Sequence, residues 1–297
     1  MHAFLLPGQG TQSPGMGAPW QDDPAWSVVG VVSDATGVDV AHLLLHADDD
    51  ELRRTDSAQL ASFTLGLVAV EAARAAGHTP DVVAGHSLGE LTALVVAGAL
   101  EVADGARLVL ERGRAMVSAC EANPGTMVAV LGLEHRRVVD AIAAIDGTWV
   151  ANDNAPGQAV VAGTHEGVGA AETMVRATGA MKVVELPVAG AFHTPLMAPA
   201  AAHLAGAIAA TPFAPSTVPV VANVDAEART EGFADPLARQ LTAPVRWRES
   251  LLTLAGLGVD EWWELGPSGA NLLAMVRRTV GDGVRVGVHD PADVPAA

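Results

Sequence analysis

Residues 3–6 (AFLL) form a short apolar run that stops at Pro7-Gly8-Gln9-Gly10. Such a run ahead of a cluster of turn formers predicts a buried strand feeding a loop. Residues 58–76 (AQLASFTLGLVAVEAARAA) space their apolar positions as a helix does and end at Gly77, a helix stop. Pro80 to Gly85 (PDVVAG) then predicts a β-branched strand running straight into LGELTALVVAGAL, where Leu91, Leu94, Val95 and Gly98 share one helical face. Strand, tight turn and helix open a βαβ unit, so a parallel sheet with helices on both faces is expected. A further helix is expected over 101–118.

The pattern changes after Asn123-Pro124-Gly125. TMVAVLGL predicts a strand, HRRVVDAIAAI a helix, TWVAND and QAVVAGT two strands, HEGVGAAETMVRATG a helix, and MKVVELPVAGAF a last strand. That order is the split βαβ pattern of a ferredoxin-like unit. Residues 125–194 therefore read as an insert in a larger domain built from 1–124 and 195–297. Beyond it the pattern predicts an Ala-rich helix over 196–211, a strand over 217–224 and a helix leading to Gln240. A helix over 249–258, a strand in VDEWWELG and a helix in NLLAMVRRTV complete it. The tail HDPADVPAA is expected to fray. There are no internal repeats.

The 297 residues suggest one large or two smaller domains at about 150 residues each. Half of the chain is hydrophobic and 17% charged, which excludes intrinsic disorder. A net charge of −17 argues against a nucleic-acid partner, because neutralising phosphates needs a positive face, and against an anionic membrane surface. Apolar stretches such as 91–100 fall short of the ~18 residues of a spanning helix. The N-terminus lacks the charged and apolar regions of a signal peptide. A soluble, cytoplasmic and monomeric protein is expected. Sixteen of the seventeen cations are arginines and Lys182 is the sole lysine; arginine binds carboxylates bidentately, although genomic base composition explains most of this bias. Cys120 is the only cysteine, so no intrachain disulfide forms and no metal site is expected; a buried, idle thiol is the simplest reading.

The most specific local signal is Gly85-His86-Ser87-Leu88-Gly89. A nucleophile elbow needs small residues two before and two after its serine, because larger side chains would clash in so sharp a strand-to-helix turn. The turn exposes the hydroxyl and aims the free N–H groups of the new helix at developing negative charge. With 31 glycines and ten serines, the pattern arises by chance roughly 0.1 times in such a chain. The strand before it and helix after it remove most random alternatives; the bland one is a glycine-rich turn with a capping serine. Serine also needs a base. Among ten histidines, His86 neighbours Ser87 but must point away from it. His193 follows a strand at a domain junction, where pockets form; by position alone it is only modestly favoured over His203 and His165.

Gly8-Gln9-Gly10-Thr11-Gln12, GHSLGE at 85–90, Arg112-Gly113, AFH at 191–193 and Gln240 in RQLTAPVRW together resemble the malonyl-CoA:acyl-carrier-protein transacylase family, in order and across almost the whole chain. The resemblance implies an α/β-hydrolase-like large subdomain with an inserted ferredoxin-like one. It implies Ser87 as acylated nucleophile, His193 as general base and then acid, and the N–H groups of Gln9 and Leu88 as oxyanion hole. The family has no acidic third member; a backbone carbonyl, assigned by the match to Gln240, orients the histidine. Arg112 would bind the malonyl carboxylate; without the resemblance it reads as a solvated helix residue beside Arg107 and Arg114. His86, Asn152 and Asn154 match pocket positions, although Asn154 also suits a turn before Pro156-Gly157. Phe192 would crowd an α-methyl branch, a preference of about 1–3 kcal/mol. Leu60 after Gln59 departs from the family's usual proline.

The substrates implied are malonyl-CoA and the phosphopantetheine thiol of an acyl carrier protein, with no cofactor bound by the enzyme. Carrier proteins of this kind are acidic, so a transient electrostatic encounter needs a cationic patch, for which Arg246, Arg248, Arg277, Arg278 and Lys182 are the candidates. Fatty-acid and polyketide enzymes, the latter with a different or longer acyl group, share these features. A serine thioesterase or esterase would share the elbow but should offer an acidic third member and has no use for GQGTQ. A non-catalytic docking subunit would make Ser87 dispensable.

Overall fold

In β1 (His2–Leu6) every residue from Ala3 onward is buried, and alternate side chains enter different cores. Phe4 and Leu6 pack on one face of the sheet, Ala3 and Leu5 on the other, as in a strand covered on both faces. The computed structural model describes residues 1–269 and 271–296. After β1 come α1 (Ser27–Thr36), α2 (Val40–Leu45) and α3 (Asp49–Arg53), in a stretch where the hydrophobic pattern predicts no element. Next are α4 (Thr55–Ala75), β2 (Val82–Gly85), α5 (Gly89–Val96) and α6 (Val102–Ala122), each close to its predicted position.

Four strands and two helices follow: β3 (Thr126–Leu131), α7 (His135–Ile142), β4 (Thr148–Ala155), β5 (Gln158–Gly163), α8 (His165–Ala177) and β6 (Lys182–Glu185). They pair antiparallel in the order β4-β5-β3-β6, the ferredoxin-like arrangement. Alternation again sorts the side chains. Val128, Val130 and Val161 pack against α7 and α8, whereas Met127, Val160 and Ala162 join the core of the larger part. The remainder is α9 (Ala198–Ala210), β7 (Val220–Val221), β8 (Ala228–Arg229), α10 (Ala234–Arg239), α11 (Trp247–Gly256), β9 (Glu261–Leu265), α12 (Leu272–Thr279) and β10 (Val284–Val288). The larger sheet has the order β10-β9-β1-β2-β7-β8, parallel except for β8. The class is α/β, an α/β-hydrolase-like layer structure with a smaller ferredoxin-like sheet. No helix among the described residues is long and apolar enough to cross a membrane.

Three predicted elements differ. The strand over 181–192 ends at Glu185, because β3 begins at Thr126 and offers no partner beyond the Met127 carbonyl, which takes the Leu186 N–H. Residues 186–190 instead run as irregular chain along a cavity wall. The strand over 217–224 shrinks to Val220–Val221, between Pro219 and a tight turn closed by the Ala226 N–H on the Ala222 carbonyl. Residues 289–295 of the tail are tied down where fraying is expected; Ala297 lies outside the described residues. Asp290 and Asp293 form a capping box, the His289 carbonyl accepts from Trp20 Nε1 at 3.2 Å, and His78 Nε2 meets the Pro295 carbonyl at 2.9 Å. β10, which the pattern does not predict, adds an edge strand just before it.

The two sheets are joined at β4. The Asp153 N–H donates to the Val245 carbonyl and the Val245 N–H to that of Ala151, and Arg248 on α11 grips the Asp153 carboxylate with Nε and Nη2 at 2.7–3.1 Å. Register shifts at Val150/Asn152 and Asp153/Ala155 bend β4 here. Such bulges re-aim side chains, and Asn152 and Asn154 both face the site described next.

Candidate active site

Ser87 sits between the end of β2 and the start of α5 with a φ of 53°. A Cβ on Gly85 would lie 1.8 Å from the Gly89 carbonyl oxygen, and one on Gly89 would lie 2.1 Å from that of Leu6. Only glycine fits at either place, and the elbow follows from that sterically. His193 is also left-handed, with a φ of 59°, and supplies the second half of a strained pair.

Ser87 Oγ lies 2.7 Å from His193 Nε2, and His193 Nδ1 lies 2.9 Å from the Gln240 carbonyl oxygen. A carbonyl only accepts, so Nδ1 carries the ring proton and Nε2 is the acceptor facing the serine. Burial pushes His193 down to about 3, helped by the nearby Arg112 charge. The ring is therefore neutral at physiological pH and able to take a proton. The N–H groups of Gln9 and Leu88 donate to no acceptor among the described residues, and both residues adjoin the serine.

Arg112, on α6, is 1% exposed. Its Nη1 donates to Gln59 Oε1 at 2.7 Å, and its Nη2 to Gln240 Oε1 at 3.0 Å and Ser87 Oγ at 3.1 Å; its Nε has no partner. Burial pulls its guanidinium down to about 10, so it stays charged at neutral pH. His86 turns away from Ser87: its Nε2 donates to Asn154 Oδ1 at 2.9 Å, its ring meets Trp247 edge-on at 5.3 Å, and burial lowers its basicity. Asn152 stands farther off, with Nδ2 at 3.5 Å from the same nitrogen. Phe192 lines the cavity beside His193.

That cavity, of about 160 Å³, brings Gln9, His86, Ser87, Arg112, Asn152, Asn154, Phe192 and His193 together. An outer chamber of about 410 Å³ shares Gln9, His86, Leu186 and Val188 with it and runs between the 8–12 loop and α12. Leu88 and Gln240 do not line the inner cavity; Gln240 is tied to it through Arg112 and the Ser87 carbonyl.

Three polar residues in this network escape sequence reasoning. Gln59 bonds Arg112 and reaches Gln9 Oε1 at 3.4 Å; its only signal is its place next to the unusual Leu60. Asn223 accepts the Ser87 N–H at 2.7 Å and donates to the Gly85 carbonyl, pinning the elbow from a strand end that reads as core. Glu90 closes the GHSLGE motif and is buried; burial pushes its carboxyl up to about 7. His165 and His203 lie elsewhere, the latter paired with Glu111. The Cys120 thiol is buried and pushed up to about 11, so it is inert. No cluster of three metal-ligating side chains occurs among the described residues.

Residues 3–286 match the model of the acyl transferase domain. The malonyl CoA-acyl carrier protein transacylase of Bacillus subtilis (strain 168) is 38% identical, over 99% of this chain and 95% of its own. Among solved structures, an acyl-carrier-protein S-malonyltransferase from Burkholderia pseudomallei superposes with a TM-score of 0.94 at 36% identity, covering 99% of this chain and 97% of that one. A malonyl-transacylase solved with its holo type II polyketide acyl carrier protein gives 0.94 at 32% identity, with 99% and 97% coverage. The chain belongs to the acyl transferase domain family, among relatives named malonyl CoA-acyl carrier protein transacylase.

Proposed function

We propose that this enzyme moves a malonyl group from malonyl-CoA to the phosphopantetheine thiol of an acyl carrier protein, through an ester on Ser87. In the first half-reaction Ser87 Oγ attacks the thioester carbonyl while His193 Nε2 takes its proton. The oxyanion is held by the N–H groups of Gln9 and Leu88, each worth on the order of 3 kcal/mol in such sites. The C–S bond then breaks, and His193 returns the proton to the departing CoA sulfur. In the second half-reaction the carrier thiol gives its proton to His193 and attacks the ester. Collapse of that intermediate returns the proton to Ser87 Oγ and frees malonyl-carrier.

The single observation that carries this reading is a buried guanidinium 3.1 Å from the nucleophile. A buried cation is costly unless it is paired. In the acyl-enzyme the malonyl carboxylate supplies the missing anion and holds the chain away from attack by water. The outer chamber, which shares wall residues with the inner cavity, is the place for a pantetheine arm. Leu272 and Met275 of α12 line it, and Arg277 and Arg278, exposed in the last turn of that helix, stand as the cationic contact for an acidic carrier. Arg246 and Arg248 are withdrawn from that role, because Glu249 and Asp153 already engage them. Lys182, exposed on β6, remains available.

Mixing the enzyme with malonyl-CoA and then with holo carrier protein tests the reading. An adduct of one malonyl mass on Ser87 that chases onto the carrier faster than free malonate appears is expected. Faster release of free acid would assign the site to a thioesterase, and no adduct would assign the fold to a docking subunit.

A further inference from the structure

Glu90 stands three residues after Ser87, in the first turn of α5, and is 3% exposed. None of its atoms enters the reaction described above. Its Oε2 accepts from the Asn223 N–H at 3.0 Å and from Gln240 Nε2 at 2.7 Å. Each of those partners touches the reacting groups. Asn223 holds the Ser87 N–H. Gln240 ties the reacting groups together: Nε2 donates to Glu90 and to the Ser87 carbonyl at 3.0 Å, Oε1 accepts from Arg112 at 3.0 Å, and its main-chain carbonyl anchors His193.

An amide can be turned over, and here the two orientations are far from equal. Reversed, the Gln240 NH2 would face the Arg112 guanidinium, where neither group accepts. Its oxygen would face the Ser87 carbonyl, where neither donates. A carboxylate at Glu90 accepts only and adds a third lock on the same orientation; a carboxylic acid can donate, so protonation gives that lock up.

We propose that the Glu90 carboxylate is a positioning residue that fixes the Gln240 side-chain amide, and through it holds Arg112 and the Ser87 backbone in register for acyl transfer. The inference rests on the acyl-transfer reading of the site. The charged groups acting on Glu90 are Arg112 from α6 and Asp225 from the turn after β7; His193 stands beyond Gln240. Burial holds the Glu90 carboxyl near about 7, while His193 lies near about 3. Activity that needs the Glu90 carboxylate is present above about pH 7 and is lost as pH falls through it. The acid limb expected on this account is assigned to Glu90 and not to the base.

The test is single-turnover acylation of Ser87 by malonyl-CoA from about pH 5.5 to 9, read by intact mass. The wild-type rate should fall about tenfold per pH unit on the acid side. Glu90→Gln should be slower at pH 8 by roughly tenfold and flat between pH 6 and 8, whereas Glu90→Asp should keep the limb. Should Glu90→Gln not fold, Gln240→Leu, which keeps the main-chain carbonyl for His193, should lose the limb as well. A wild-type limb retained in Glu90→Gln or in Gln240→Leu overturns the inference. A wild-type enzyme forming no acyl-serine at any pH overturns the acyl-transfer reading itself, and this inference with it.

Discussion

Truncating Arg112 to alanine removes the cation assigned to the malonyl carboxylate, and the surroundings set the size of the effect. A hydrogen bond to a charged group is worth about 1.5–3 kcal/mol, and a bidentate carboxylate clamp makes two of them. Loss of about 3–5 kcal/mol from the acylation transition state lowers kcat/KM for malonyl-CoA by roughly 10² to nearly 10⁴-fold. Acetyl-CoA has no carboxylate and should lose less, through the missing charge-assisted bond to Ser87 Oγ alone. The fold also bears a cost. Gln59 Oε1 and Gln240 Oε1 lose their donor, at about 1–3 kcal/mol for each buried acceptor. Release of the desolvated charge offsets part of that. Steady-state kinetics with the two thioesters, alongside a thermal melt to confirm folding, measure both. If the two substrates lose rate equally, Arg112 serves the nucleophile and not the carboxylate, and the selectivity argument fails.

Other perturbations separate the remaining parts. Arg248→Met leaves the nearly buried Asp153 carboxylate without its partner. The half-exposed arginine brings the cost down to about 1–3 kcal/mol, seen as a Tm lower by several degrees. Because β4 also aims Asn152 and Asn154, hydrolysis of the malonyl-enzyme should rise relative to transfer; an unchanged ratio would separate the seam from the pocket. Phe192→Ala should admit methylmalonyl-CoA with a gain of about 1–3 kcal/mol in relative kcat/KM, and no gain would remove Phe192 as the steric limit. Arg277→Glu with Arg278→Glu should raise the KM for carrier protein and flatten its salt dependence while acylation by malonyl-CoA stays unchanged. His193, held low mainly by burial, binds a proton more readily unfolded than folded. Its contribution to stability is full above the ordinary histidine value and declines as pH falls toward about 3, which denaturant melts at several pH values would show.

Local sterics made the elbow legible, since Gly85, Ser87 and Gly89 are adjacent in the chain and their spacing is the geometry. The parallel core and the smaller sheet were legible for a similar reason: alternation and helical period are local quantities. His193 was not, because its distinction from nine other histidines lies in a contact 106 residues away and a carbonyl 47 residues away. Arg112 and Gln240 came only through the family resemblance, and Glu90 and Gln59 not at all. Their bonds span 150 and 53 residues, and no single-sequence pattern marks such partners. The tail failed for the opposite reason. Its composition describes an unattached segment, while its bonds to Trp20 and His78 depend on where the sheet leaves its last strand.

The absence of an acidic third member beside His193 follows from the same network. A carboxylate in place of the Gln240 carbonyl would lie within a side chain's reach of Arg112, and the two would pair. Arg112 would then enter the reaction already neutralised, with less attraction for a malonyl carboxylate. A carbonyl orients His193 through Nδ1 without competing for that charge. The Glu90 carboxylate acts on Arg112 through space but makes no ion pair with it, because the Gln240 amide stands between them. The basicity of His193 is depressed mainly by burial, and the unpaired Arg112 charge adds to it. A base near about 3 drives proton abstraction poorly, and more of the barrier reduction would fall on the oxyanion donors proposed at Gln9 and Leu88. An anionic malonyl group beside Arg112 would offset the Arg112 share of the depression of His193, leaving the larger share due to burial, and acetyl-CoA would not. Selectivity for the carboxylate thus enters the chemical step as well as binding, and the Arg112→Ala loss for malonyl-CoA should fall on kcat as well as on KM.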